Sequence, residues 1–184
     1  MVDEFLPERA CAIMANPQTG AIMAMAQWPT YNPNDRTEMA PDRWRNHMVS
    51  DVYDPGSTMK CIAIAGAIDY GIVDLETAFD CEHGLWYYCR TPLRDSHGYG
   101  ILNVSDIICK SSNIGTAKIG VAMGKNRLFQ TMRRFGFGKP TGIGFDDESP
   151  GLLSRPAKWD GLSITRFPIG QGVSVTPLQM TQAY

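Results

Sequence analysis

The feature that most constrains this chain is a turn running straight into an apolar stretch. Tyr53-Asp54-Pro55-Gly56-Ser57-Thr58-Met59-Lys60 is followed by Cys61-Ile62-Ala63-Ile64-Ala65-Gly66-Ala67-Ile68. Pro55-Gly56 is a turn signal, and the run behind it is apolar on nearly every side of a helical wheel. A helix without a polar face belongs in a core rather than on a surface. The pattern predicts a buried helix ending near Tyr70-Gly71, with Gly71 as its terminating residue. Ser57 then falls in the first turn and Lys60 three residues later, on the same face. A lysine at the mouth of a buried helix is partly desolvated, which disfavours the ammonium. Its neutral amine could take the hydroxyl proton and make Ser57 a nucleophile. Taken alone, the tetrapeptide is explained as well by a helix that Ser57 caps, with Lys60 snorkelling to water.

The rest of the chain narrows the choice. Its 184 residues suffice for one sizeable core, or a core with a small appendage. With 43% hydrophobic and 20% charged residues and a net charge of −2, it has the composition of a soluble globular protein, without the clustered basic excess of a nucleic-acid binder. No run approaches the roughly 18 apolar residues of a membrane span, and Met1-Val2-Asp3-Glu4-Phe5 has neither the basic nor the apolar region of a signal peptide. Cys11, Cys61 and Cys109 lie in apolar sequence and are expected to pack as small hydrophobes. Cys81 and Cys89 stand in a polar segment with His83, and His97 follows. Free thiols, a local disulfide and a Cys/His zinc set are all open there, although the spacing C-x-H-x5-C-x7-H fits no common zinc signature.

In chain order, residues 1–10 read as a polar arm. The apolar runs 11–15 and 21–26, joined by Asn16-Pro17-Gln18-Thr19-Gly20, read as a β-hairpin within a covered sheet. Residues 27–50 and 72–102 read as irregular, turn-rich segments. Asn103 caps a short helix with Asp106 three residues on, and Lys110-Ser111-Ser112-Asn113 interrupts it with residues that compete for backbone hydrogen bonds. A second helix runs from Ile114 to Met123 and closes at Gly124. A third, capped by Asn126, runs through Arg134 and ends at Gly136. The turn Gly136–Gly142 forms no phosphate loop. Thr176 with Pro177 opens a last helix, which stops with the chain after roughly two turns.

Ser57-x-x-Lys60 and Ser111-Ser112-Asn113 together carry chemistry that neither carries alone. A second hydroxyl can pass a proton between Lys60 and a leaving amine, and a carboxamide can fix the substrate's amide backbone. Together these groups describe serine acyl transfer through an acyl-enzyme, chemistry that calls for no cofactor and no metal. The same grouping occurs in β-lactamases and penicillin-binding proteins with a Lys-Thr-Gly as third member. No Lys-Thr-Gly occurs in these 184 residues, and Lys139-Pro140-Thr141-Gly142 only approaches it.

The chain resembles the transpeptidase domain of a class B penicillin-binding protein of the division-associated kind, over nearly its whole length. The resemblance rests on residues 16–26, on Asp54-Pro55-Gly56-Ser57-Thr58-Met59-Lys60 (where glutamate is more usual than Asp54), and on Lys110-Ser111-Ser112-Asn113-Ile114-Gly115. It rests also on Phe135-Gly136-Phe137-Gly138 with Thr141-Gly142, on Glu148-Ser149-Pro150-Gly151, and on Gly170-Gln171-Gly172 with Thr176-Pro177-Leu178-Gln179-Met180 and Ala183-Tyr184. It implies an α/β (α+β) penicillin-binding-protein/β-lactamase-like fold, here a single partial domain over residues 1–184 with the N-terminal hairpin and the helical part. The sheet strand bearing the third motif, the membrane anchor and the dimerisation-type domain are expected outside it. It implies a D,D-transpeptidase acting on peptidoglycan stem peptides ending in D-Ala-D-Ala, inhibited by β-lactams, on the periplasmic or extracytoplasmic face of the membrane among cell-division membrane proteins. Carried over, Ser57 is the acylated nucleophile, Lys60 its base, Ser111 a proton shuttle and Asn113 a substrate-binding group. The oxyanion hole combines the Ser57 N–H with another on the missing strand, so the chain itself is expected to turn over no substrate and to acylate poorly. The alternatives are a β-lactamase or D,D-carboxypeptidase, although the glutamate that class A β-lactamases need for deacylation is not evident, Glu148 lying in a turn that the family uses structurally, and a non-catalytic β-lactam sensor or pseudoenzyme.

Overall fold

The computed structural model describes every residue except Met1, Arg36, Glu38, Met39 and Ala40. At its centre is α4 (Met59–Asp69), reached through a single 3-10 turn at Gly56–Thr58. Met59, Ile62, Ala63, Ile64 and Ala67 of this helix are at most 3% exposed, so the predicted buried helix is present, although Cys61, Ala65 and Ile68 leave one stripe of it exposed. It ends where the sequence placed the stop. The N–H groups of Gly71 and Ile72 donate back to the carbonyls of Ile68 and Ala67, and Gly71 takes the left-handed φ of +64° that this closure needs.

Elements from the whole chain cover α4. On one side lie α6 (Asn113–Met123) and α7 (Lys125–Arg134), preceded by the short α5 (Val104–Cys109). A 3-10 turn at Phe167–Ile169, following α8 (Ser163–Arg166), packs on α4 and α6. The contact with α7 is close because Gly66 has no side chain: a Cβ there would lie 2.3 Å from Thr131 Oγ1. Ile107, Ile114, Ile119, Met123, Leu128, Met132 and Phe137 complete the core. Asn103 caps α5 by accepting from the Asp106 N–H at 2.8 Å, as the sequence indicated. The cap of α7 is Gly124, two residues before the expected Asn126, because Gly124 at φ +79° turns the chain from one helix directly into the next.

Among the described residues the strands form three separate antiparallel pairs. β1 (Ala10–Ala15) and β2 (Ile22–Trp28) make the expected hairpin, its turn held by Asn16 Oδ1 accepting from the N–H groups of Gln18 and Thr19. It is not covered as expected: Met14 and Met23 are 59% and 65% exposed, and among the described residues it meets chiefly α9 (Pro177–Ala183) and α3 (His47–Ser50). Apolar composition on both faces of a strand requires a cover but does not say what provides it. Residues 72–102 are more ordered than the turn-rich reading allowed, with β3 (Ala78–Asp80) paired to β6 (Ile101–Asn103) and β4 (Leu85–Tyr88) to β5 (Thr91–Arg94). Pairs of three and four residues are too short to show periodicity against so many aromatic and turn residues.

The expected 27–50 loop also holds α2 (Pro41–Trp44) and α3, and it lies outside the described residues at 36 and 38–40. The N-terminal arm contains a single helical turn, α1 (Val2–Phe5). All five cysteines are free. Cys81 is buried, whereas Cys11, Cys61 and Cys109 are exposed rather than packed as small hydrophobes, because apolar neighbours in sequence need not be neighbours in space.

Candidate active site

Three segments meet around the N-terminus of α4. Pro55-Gly56 delivers Ser57 to the 3-10 turn, in which residues three apart eclipse one another, so Ser57 and Lys60 occupy one side of adjoining turns. This turn is clamped by the chain that follows α8. The Gly56 N–H donates to the Gly170 carbonyl at 3.1 Å, and Tyr53 and Val175 exchange two backbone bonds of 3.0 and 2.9 Å. Gly170 has φ +75°, and a Cβ on it would stand 2.2 Å from the Gly56 carbonyl oxygen. From the end of α9, the Tyr184 hydroxyl donates to the Thr58 carbonyl at 2.8 Å. Ser57 is exposed, while Lys60 beneath it is only 3% exposed.

The second segment is the break between α5 and α6. The N–H groups of Ser111 and Ser112 donate to the carbonyls of Ile108 and Ile107, closing α5 with Ser111 in the left-handed position at φ +54°. That position is ordinarily glycine's, because a Cβ there costs roughly 1–2 kcal/mol. Here a serine occupies it, and both of its oxygens are turned to Lys60. Lys60 Nζ donates to the Ser111 carbonyl at 2.5 Å and to Ser111 Oγ at 2.9 Å, across 51 residues of sequence. Burial brings the Lys60 amine down from 10.5 to about 8, against the opposing influence of the Asp95 carboxylate.

Ser112 is fully buried and caps α6, its Oγ accepting from the Gly115 N–H at 2.9 Å. Asn113 is the first residue of α6, and its Nδ2 donates to the Arg94 carbonyl at 2.9 Å. Of the four residues singled out in the sequence, Lys60 and Ser111 are bonded to each other. Asn113 follows Ser111 at the start of α6, and Ser57 lies one turn before Lys60, its hydroxyl making no hydrogen bond to either Lys60 or Ser111 among the described residues.

One group had no signal in the sequence. Asp95 sits just past β5 in a segment read as irregular, and its carboxylate holds the α6 N-terminus through Ser112, Asn113 and Ile114. The two other groups weighed earlier have structural positions. Lys139-Pro140-Thr141-Gly142 is not a strand; the Lys139 carbonyl accepts from Gln179 Nε2 at 2.8 Å. Glu148 is tied to that same turn, accepting from the N–H and hydroxyl of Thr141 and from the Gly142 N–H. Among the described residues, no cluster of His, Cys, Asp and Glu is arranged to hold a metal ion.

Comparison with known proteins bears on the family and the fold. The family of the penicillin binding protein transpeptidase domain matches residues 10–184. A peptidoglycan D,D-transpeptidase FtsI of Buchnera aphidicola is 34% identical over 183 residues, covering 100% of this chain and 32% of that protein. The protein of the same name from Escherichia coli is 33% identical over 177 residues, covering 96% and 30%. Among solved structures, a peptidoglycan glycosyltransferase from Burkholderia ambifaria superposes with a TM-score of 0.90 at 28% identity, covering 100% of this chain and 54% of that one. The transpeptidase domain of penicillin-binding protein 3 from Burkholderia pseudomallei gives 0.89 at 28% identity, covering 100% and 51%. The chain thus spans about a third of the length of these curated relatives and about half that of the solved chains.

Proposed function

Because the chain belongs to the penicillin-binding-protein transpeptidase domain family, we propose that its site performs the acyl transfer of a peptidoglycan D,D-transpeptidase, with Ser57 as the acylated residue. In this reading Ser57 Oγ attacks the carbonyl carbon of a penultimate D-Ala while its proton passes to Lys60 Nζ. With an amine at about 8, roughly a tenth of Lys60 is neutral at pH 7, enough to serve as a base. The C–N bond to the terminal D-Ala breaks, and the proton returns from Lys60 through Ser111 Oγ to the departing amine. The amine of a second stem peptide then attacks the ester on Ser57, releasing the cross-linked product and restoring the hydroxyl. Asn113 holds the substrate's peptide group. The Ser57 N–H, in a first turn where helical N–H groups lack an intrahelical partner, forms one side of the oxyanion hole. β-Lactams acylate the same oxygen.

The observation that carries the reading is the buried Lys60 bound to both oxygens of Ser111. A lysine serving only as a snorkelling side chain would place its Nζ in water. Glu148 argues against the hydrolytic alternatives, since its carboxylate is engaged by Thr141 and Gly142 rather than free to direct water. The second reading, a β-lactam sensor or degenerate enzyme, is opposed by the presence of Ser57, Lys60, Ser111 and Asn113 together. The substrate lies outside the cytoplasmic membrane, so the first reading places the domain there, beside membrane proteins of division. No helix among the described residues is long and apolar enough to cross a membrane.

Incubation with a fluorescent penicillin, followed by peptide mass spectrometry, tests the proposal. The expected result is a slow, sub-stoichiometric adduct on the Ser57 peptide that disappears in Ser57→Ala. A label on another residue, or none on Ser57 after prolonged exposure, overturns the assignment. Fast stoichiometric labelling would instead show that acylation needs no third motif.

A further inference from the structure

We propose that Asp95 is a positioning residue of this site: the fixed anion that locks the Ser111–Asn113 turn and balances the charge of Lys60. The inference rests on the reading of Lys60 as the base. Its first support is geometric. Asp95 Oδ1 accepts from the N–H groups of Asn113 and Ile114 at 2.5 and 3.1 Å, and Oδ2 accepts from the Ser112 hydroxyl at 2.7 Å. Two of the orphan donors at the start of an 11-residue helix are thereby satisfied by a carboxylate, where the helix dipole favours negative charge. The residue before it acts on the same segment, because the Arg94 carbonyl takes one N–H of the Asn113 carboxamide. Arg94 and Asp95 thus grip Asn113 by backbone and side chain together, leaving its Oδ1 and one N–H for a substrate.

The grip extends to Ser111. Ser112 is committed on both sides, accepting from Gly115 and donating to Asp95, and its N–H closes α5 onto Ile107. Ser111 is confined between these two anchorages. Its left-handed backbone persists because the surroundings over-determine it, and that backbone aims its carbonyl and hydroxyl at Lys60. The second support is charge. Burial favours the neutral amine, and the Asp95 carboxylate favours the ammonium. Other titratable groups near the site are the buried Cys81 thiol, which lies 3.4 Å from Ser112 Oγ and feels Asp95, Lys118 and Asp80, Lys110 beside Ser111, which pairs with Asp106 at 3.5 Å, and the Tyr184 phenol, which bonds the Thr58 carbonyl of the 3-10 turn and interacts with Cys61.

Asp95→Asn keeps the size of the side chain and a carbonyl oxygen for the two N–H groups, but removes the charge. The readout is the titration of the Lys60 side chain in this chain, followed by NMR of the labelled amine, which requires no acylation. The expected result is a downward shift of the Lys60 midpoint, leaving about threefold more of it neutral at pH 7 than in wild type. Ser112→Ala, which cuts the hydroxyl link but leaves the carboxylate, is expected to move the midpoint much less. An unmoved midpoint in Asp95→Asn, or an equal shift in Ser112→Ala, overturns the proposal. Should Asp95→Asn not fold, Asp95→Glu displaces the charge by one methylene and is read the same way. Penicillin labelling of Ser57 is a separate readout. Labelling with an unmoved Lys60 removes only the role of Asp95, and a shifted Lys60 without labelling removes only the acyl-transfer reading.

Discussion

Replacing Lys60 by methionine keeps an unbranched side chain one heavy atom shorter and deletes the charge, so it measures what the buried amine does to the fold. Lys60 is 3% exposed and its amine is brought from 10.5 to about 8. That difference corresponds to about 3 kcal/mol of destabilisation of the charged form in the folded state. Between pH 8 and 10.5 the unfolded chain holds a proton on this group that the folded chain has released. Folding stability therefore rises with pH across that window, and below it the whole penalty is present. Lys60→Met has no such penalty, so its stability relative to wild type should be most favourable near pH 7. That advantage should shrink by about 1.4 kcal/mol per pH unit in the middle of the window.

The value at pH 7 alone also contains the two bonds to Ser111 that the variant lacks, whereas the slope isolates the titration. Urea unfolding of both proteins at intervals from pH 7 to 10.5 gives the difference directly, and cysteine and tyrosine ionisations common to both cancel. A difference that stays flat with pH would mean that Lys60 titrates in the fold as it does in the unfolded chain, which would refute the argument that burial prepares it as a base.

Further predictions follow from local geometry. Ser111→Gly and Ser111→Ala both remove the hydroxyl, but only glycine relieves the φ of +54°, so the glycine variant should be about 1 kcal/mol the more stable in denaturant titrations. Gly170→Ala introduces a Cβ 2.2 Å from the Gly56 carbonyl oxygen at a positive φ, and should lose more than about 3 kcal/mol, read as a lower melting temperature. A melting temperature within a few degrees of wild type would show that the clamp on the Ser57 turn is soft. Thr131 Oγ1 is buried with no hydrogen-bond partner among the described residues, so Thr131→Val should raise stability by about 1 kcal/mol, and a loss would reveal a partner for that hydroxyl.

The helices and their ends were largely legible from sequence because their signals are local. Asn103, Thr176-Pro177 and Gly71 each do chemically what their residue type suggests, down to the reciprocal bonds between Thr176 and Gln179 at the start of α9. The short strands between 78 and 103 were not legible. Each is held by a partner up to 25 residues away rather than by its own periodicity, and the exposed surface of the β1–β2 hairpin is likewise a matter of tertiary placement. The start of α7 was misplaced for a narrower reason: Asn126 is a good cap by type, but the positive φ at Gly124 had already turned the chain.

For the site, the sequence determined the inventory and the order: a serine and a lysine at helical spacing on a buried helix, then Ser111-Ser112-Asn113 at a helix break. Those follow from spacing, turn chemistry and the scarcity of polar residues in an apolar run. Only the tertiary structure decided which partner Lys60 has, why a serine stands in a glycine position, and that an aspartate in a nondescript segment anchors the whole turn. The physical reason is that desolvation and charge act through space. The field at Lys60 is set by groups 35 and 51 residues away, and no local pattern encodes their distance.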